Sequence, residues 1–381
     1  MKKRYLMSPG PTPIPEEVLL EMAKPIMHHR TPQFSKIFKE CAQSLKKLFK
    51  TDQPVLMLAS TGTGAMEAAV TNLFSPGDKV LVINGGKFGE RWGQISSAYG
   101  LFVEWIKVEW GQAVDIDSVK QALLDNPDIQ AIMVQGSETS TTAAHPIKEL
   151  AELTKATDRL LIVDGITSVG VVDMPMDQWG IDALITGSQK ALMLPPGLGF
   201  IALSEKAWKR ADRATLPRFY FDLKKELKNW GNDTSAYTPA ISLIIGLRKA
   251  LEMLLDEGLD NAYKRLDTLA RAVRAGTAAM GLKQLAPDSP ANSATGVFVP
   301  EGVDGARLVK DLRDNYGITF AGGQDHLKGK IVRIAHLGYF DSYDVIVALS
   351  ALEMALQKHG CNIEMGKGVA AAQKILNERY E

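Results

Sequence analysis

The sequence predicts an α/β protein built on a mostly parallel sheet of seven strands. Three observations carry the prediction. Short apolar runs alternate with segments of helical period through the first half of the chain. One apolar run ends in a single carboxylate, Asp164, and another leads through Gly-Ser-Gln into a single lysine, Lys190. A glycine-rich turn, Thr61-Gly-Thr-Gly64, stands between a strand pattern and a helix pattern. Groups at the carboxyl ends of parallel strands face one crevice.

Residues 1–15 are proline-rich and read as an extended arm. A short helix follows from Pro15, with proline at its start. Apolar residues at 34, 37, 38, 41, 45, 48 and 49 give the next helix. Strands are expected at 54–59, 79–83, 101–108, 129–134, 160–163, 183–186 and 200–203. Helices are expected at 65–74, 88–99, 116–124 and 146–157. The strand at 200 follows Lys190 too closely for a helical crossover, which predicts antiparallel pairing with its predecessor. Residues 206–232 are aromatic and basic. Long helices at 238–256 and 259–280 lead into strands at 295–299, 318–321 and 331–335, with helices at 304–314 and 342–358. This division predicts a large domain over 16–255 and a smaller α+β domain over 256–381. No internal repeat is visible, and no structure or function is assigned to the stretch after His359.

The 381 residues suit two domains. Lys+Arg and Asp+Glu are equal at 44 each, so no charge excess points to nucleic acid or a membrane surface. Two cysteines, Cys41 and Cys361, are too few for a disulfide framework and suit a reduced, cytoplasmic protein. The basic start, Met1-Lys-Lys-Arg, runs at once into Pro9 and Pro11, and the apolar stretch is too short for a signal peptide. Arg379-Tyr380-Glu381 is not a peroxisomal address. No metal site is expected.

Each candidate residue has two readings. Lys190 is either a solvated lysine or, among Gly, Ser, Ala, Leu and Pro, an amine of lowered pKa suited to a Schiff base. Asp164 is a turn acid or the partner of a pyridine nitrogen. Together they suit pyridoxal phosphate, with the acid on the pyridinium and the lysine on the aldehyde. Thr61-Gly-Thr-Gly64 is a plain turn or an anion cradle at a helix start. It lacks both the Walker lysine and the third glycine of the dinucleotide fingerprint, where Glu67 stands. Phe88 is core or stacks on a ring. Arg333, on an alternating strand, is a structural ion pair or grips a substrate carboxylate.

With these residues in view, the chain resembles the class V aminotransferases of pyridoxal phosphate fold type I, and within them the alanine–glyoxylate and serine–pyruvate (serine–glyoxylate) branch. The resemblance runs through Pro9-Gly10-Pro11, Ser60-Thr-Gly-Thr-Gly64, Gly136-Ser-Glu-Thr-Ser-Thr, Val163-Asp164, Gly187-Ser-Gln-Lys190-Ala, Pro195-Pro-Gly-Leu-Gly, Pro239-Ala-Ile-Ser-Leu and Lys330-Ile-Val-Arg333-Ile. It implies that Lys190 forms the Schiff base and that Asp164 pairs with the ring nitrogen. It implies phosphate contacts from Thr63, Gly64 and Gln189, a hydroxyl of Thr139 near the ring O3′, and Phe88 and Ile166 on the two ring faces. This branch often has Trp where Phe88 stands. Arg333 would take the substrate α-carboxylate, with Gly10 beside the substrate. Tyr237 and Thr238 match the segment that reaches a neighbouring subunit's phosphate, at a tighter spacing than in the alanine–glyoxylate enzymes. That contact implies a homodimer with shared sites.

The implied reaction is ping-pong transamination between a small amino acid, such as alanine or serine, and a 2-oxo acid, glyoxylate or pyruvate. Freed Lys190 moves the proton as base and then acid. Arg30, Arg91 and Arg218 are the candidates for a dicarboxylate side chain, which keeps aspartate open as donor. The rivals are a lyase of the same fold, such as a cysteine desulfurase, which needs a mobile thiol near the site, a non-catalytic hydrogenase-associated subunit, and a nucleotide-binding protein.

Overall fold

The computed structural model describes residues 3–378. The readings of Met1-Lys2 and of Arg379-Tyr380-Glu381 lie outside them. The strands are β1 (Tyr5–Leu6), β2 (Val55–Ser60), β3 (Lys79–Asn84), β4 (Phe102–Lys107), β5 (Ile129–Gln135), β6 (Ser137–Glu138), β7 (Ala143–Ala144), β8 (Leu160–Asp164), β9 (Ala183–Gly187) and β10 (Gly197–Leu203). Beyond them come β11 (Ala294–Phe298), β12 (Ile318–Thr319), β13 (Ala321–Gly322) and β14 (Ile331–Ala335).

Seven strands form one sheet in the order β2-β10-β9-β8-β5-β3-β4. β10 runs antiparallel to β2 and β9, as its short connection predicts, and the other pairs are parallel. Continuous runs such as Leu-Leu-Ile-Val-Asp in β8 are buried on both faces, because helices cover the sheet on each side. The edge strand β4 alternates and leaves Phe102 and Glu104 exposed. Helices Pro32–Phe49 and Ile241–Glu257 pack on one face and Gly62–Leu73 on the other.

A second core gathers the long helix Leu259–Ala279, helices Ser342–Lys358 and Lys367–Asn377, and the antiparallel sheet β11-β14-β13. Met7 of the arm is buried in it, and β1 pairs in parallel with β12. The extended arm is therefore one strand of a sheet whose other half lies some three hundred residues away. Gly258, at φ +81°, separates the two long helices.

The structure corrects several expectations. The strand expected at 318–321 is split into β12 and β13 in two different sheets, with the Phe320 side chain buried between them. The helix after β2 begins at Gly62, so Thr63 and Gly64 lie in its first turn rather than in a preceding loop. Residues 206–232 carry two short helices, Glu205–Ala211 and Leu223–Trp230, whose caps Ser204 and Asp222 accept backbone N–H groups. The stretch after His359 holds the helix Lys367–Asn377. Glu353, buried on the neighbouring helix, accepts the N–H groups of Gly366 and Gly368 at that helix's start. No helix of the described residues is long and apolar enough to cross a membrane.

Candidate active site

Asp164 is the last residue of β8, and Lys190 lies three residues past the end of β9. These adjacent parallel strands deliver both side chains to one cavity. Thr63, Phe88, Thr139, Ile166 and Gln189 line the same cavity. Seven of the residues singled out from the sequence thus converge.

Asp164 is buried, and its Oδ1 accepts the Ile166 N–H at 2.9 Å. No hydrogen bond reaches Oδ2 among the described residues. Burial pushes the carboxyl up to about 7, opposed by the Ile166 N–H and by the cations Arg91 and Lys190. Lys190 Nζ donates to the Pro9 carbonyl oxygen at 2.8 Å. Burial brings its amine down to about 8, the direction a Schiff-base lysine needs. Thr12 Oγ1 donates to the Lys190 carbonyl oxygen at 2.9 Å and fixes the main chain there. A Cβ placed on Gly10 would overlap Lys190 Nζ, so the arm passes directly over the amine.

Thr61 does not cap the helix Gly62–Leu73 with its side chain, so the opening N–H groups stay available where Thr61, Gly62 and Thr63 line the cavity. Gly62 has to be glycine because a Cβ there would overlap the Ile166 side chain. Gly64 does not line the cavity; the place of its absent Cβ is filled by Ser60 Oγ. Gln189 Oε1 is buried without a partner. Thr139 and Thr167 hydroxyls lie 2.9 Å apart. Thr167 donates to the Ser137 carbonyl oxygen, which leaves Thr139 as donor within that pair.

Arg333 is nearly buried, and its guanidinium donates to carbonyl oxygens, not to a carboxylate. Nε and Nη2 reach Gly322 at 3.0 and 2.8 Å, and Nη1 reaches Thr139 at 2.7 Å. No ion pair forms with it among the described residues, so the structural ion-pair reading fails. Burial lowers it to about 10, opposed by buried Glu138. Tyr237 and Thr238 do not line the cavity of their own chain. The Tyr237 hydroxyl accepts from Lys225 Nζ at 2.9 Å, and its ring stacks on Tyr220.

Two further groups belong to the site. Glu138 is fully buried and accepts the N–H groups of Phe88 and Gly89 at 3.0 and 2.9 Å, together with Ser140 N–H and Oγ. It anchors the start of the helix Lys87–Ala98 and with it the Phe88 ring. Its place inside Gly136-Ser-Glu-Thr-Ser-Thr is the one sequence signal that marked it. Arg91 also lines the cavity, whereas Arg218 is spent on the carbonyls of Thr71, Ala214 and Leu216, and Arg30 on Thr234 and Ser235. Cys41 is buried beneath Ile244, and neither cysteine lines the cavity.

The fold and this cavity define a pyridoxal-phosphate-dependent enzyme of fold type I. The family model described as Aminotransferase class-V matches residues 4–337, and the chain belongs to that family. It is 43% identical over 380 residues to a protein of Synechococcus sp. named soluble hydrogenase, small subunit, covering 98% of this chain and 99% of that one. It is 38% identical to a serine–glyoxylate aminotransferase of Hyphomicrobium methylovorum, covering 98% of this chain and 95% of the relative. The crystal structure of ureidoglycine–glyoxylate aminotransferase from Bacillus subtilis superposes with a TM-score of 0.94 at 30% identity, covering 98% of each chain.

The residues present fit the cofactor. A half-buried amine of lowered pKa, a buried carboxylate with one oxygen unbonded among the described residues, and an uncapped helix start line the cavity.

Proposed function

We propose that this aminotransferase moves the amino group of a small amino acid, alanine or serine, to glyoxylate or pyruvate in two half-reactions. The observation that carries this reading is the convergence of Lys190 and Asp164 on one cavity, with Arg333 bonded to the Thr139 carbonyl in its wall, in a chain whose relatives include glyoxylate-using aminotransferases.

Bound pyridoxal phosphate supplies the electron sink for a carbanion at the substrate Cα. Lys190 Nζ would hold its aldehyde carbon, and Asp164 Oδ2 its pyridine nitrogen. Thr63, Gln189 and the opening N–H groups of the helix Gly62–Leu73 would take the phosphate, Thr139 the ring O3′, and Phe88 and Ile166 the two ring faces. Once displaced by substrate, Lys190 Nζ removes the Cα proton as general base and later returns it as acid. An amine lowered to about 8 can do both near neutral pH. Arg333 turns its guanidinium to the α-carboxylate and orients Cα toward Nζ, with Gly10 leaving room above. Tyr237 and Thr238, unused in their own cavity, would reach the phosphate of a second copy, so the working unit is a homodimer. Its place is the cytoplasm, where its two free cysteines persist.

The test is a donor panel of Ala, Ser, Gly and Asp, each with glyoxylate or pyruvate, followed by amino-acid analysis. The expected result is glycine formed from glyoxylate with Ala or Ser as donor, abolished in Lys190→Ala. Transfer from Asp alone, or none from any donor, overturns the substrate assignment.

A further inference from the structure

Arg91 projects from the helix Lys87–Ala98 three residues after Phe88, on the same helical face. Its guanidinium lies over the Phe88 ring, 4.9 Å from the centroid. Nη1 donates to Thr63 Oγ1 at 3.0 Å. No carboxylate lies within ion-pair distance of it among the described residues. A half-buried cation whose one hydrogen-bond partner is a neutral hydroxyl leaves most of its donors unmatched.

The wall beside Arg91 is short of positive charge. Thr61, Gly62, Thr63 and Gln189 are all neutral, and a helix start contributes only about half a charge. The other cation lining the cavity, Lys190, would be held at the cofactor's aldehyde carbon and not at its phosphate. A bound phosphate carries nearly two negative charges. Because Arg91 donates to Thr63 Oγ1, the Thr63 hydroxyl keeps its own proton to donate onward. Arg91, Thr63 and the residues that open the helix line the same cavity, and Arg91 is bonded to Thr63 there.

We propose that Arg91 is the charge partner of the cofactor's phosphate, gripping it directly while orienting the Thr63 hydroxyl. The proposal rests on the reading that pyridoxal phosphate occupies this cavity. It sets Arg91 apart from substrate recognition, so the donor side chain meets no dedicated cation, in keeping with alanine or serine.

The test compares apoprotein of the wild type, Arg91→Lys and Arg91→Gln, each titrated with pyridoxal phosphate and with pyridoxal, following cofactor absorption. Arg91→Gln should weaken pyridoxal phosphate binding by about tenfold or more, with Arg91→Lys between. Pyridoxal, which has no phosphate, should bind all three alike. Inorganic phosphate should compete with pyridoxal phosphate in the wild type and much less in Arg91→Gln. Unchanged affinity for both compounds, or an equal loss of both, overturns the proposal. So does unchanged cofactor affinity with a raised KM for aspartate against alanine, which would make Arg91 a donor-side residue. Wild-type protein that binds neither compound fails the cofactor reading instead.

Discussion

Arg333 Nη1 donates to the Thr139 carbonyl oxygen at 2.7 Å, which ties a guanidinium on the small antiparallel sheet to the loop leaving the central sheet. The bond places the arginine at the cavity without spending its charge on a carboxylate. Arg333→Lys should therefore lower kcat/KM for alanine by about 100-fold, because a lysine cannot reproduce the planar fork. Cofactor absorption should stay as in the wild type. Steady-state kinetics beside an absorption spectrum check this, and a change confined to the spectrum would contradict it.

Glu138 accepts N–H groups from Phe88, Gly89 and Ser140 in a fully buried place. Glu138→Ala leaves these donors without an acceptor and should cost about 3 kcal/mol of stability. Glu138→Gln keeps one acceptor oxygen and should lose about half as much. Urea unfolding of the apoprotein measures both, and equal stability of all three proteins would contradict the account.

Burial holds the Lys190 amine at about 8, against ~10.4 for an exposed lysine. A folded value below the unfolded one means the neutral amine is present in the folded protein from about pH 8 upward. Only the neutral amine attacks an aldehyde. The rate at which apoprotein captures pyridoxal phosphate should rise through pH 8 and level off above about pH 9. Stopped-flow absorption over pH 6.5–10.5 checks this. A rate still climbing steeply at the top of that range would mean an exposed lysine.

The central sheet was legible because its inner strands are uninterrupted apolar runs, buried on both faces, and its edge strand β4 alternates; both patterns stand out in sequence. Asp164 and Lys190 were legible because each is a lone charge at the end of such a run. Gly10 and Arg333 entered through motifs, while their distances to Lys190 and Thr139 depend on how the arm and the small sheet fold over the cavity. Arg91 appeared only as one of three candidate arginines, since a helical arginine near the surface has no local mark of what it faces. Glu138 was marked only by its place in a motif, because two of its partners, Phe88 and Gly89, lie fifty residues earlier at the start of a helix. The split of β12 from β13 follows from pairing with the distant arm, which no local periodicity encodes. The helix Lys367–Asn377 starts at Gly366 in a left-handed conformation (φ +83°) with Glu353 serving as its remote cap.

The account stands on Lys190 as the residue that holds the cofactor. Protein incubated with pyridoxal phosphate, reduced with borohydride and digested should carry a single phosphopyridoxyl group, on the peptide containing Lys190. Lys190→Ala should carry none. A label on another lysine, or an unlabelled wild type, would contradict the account.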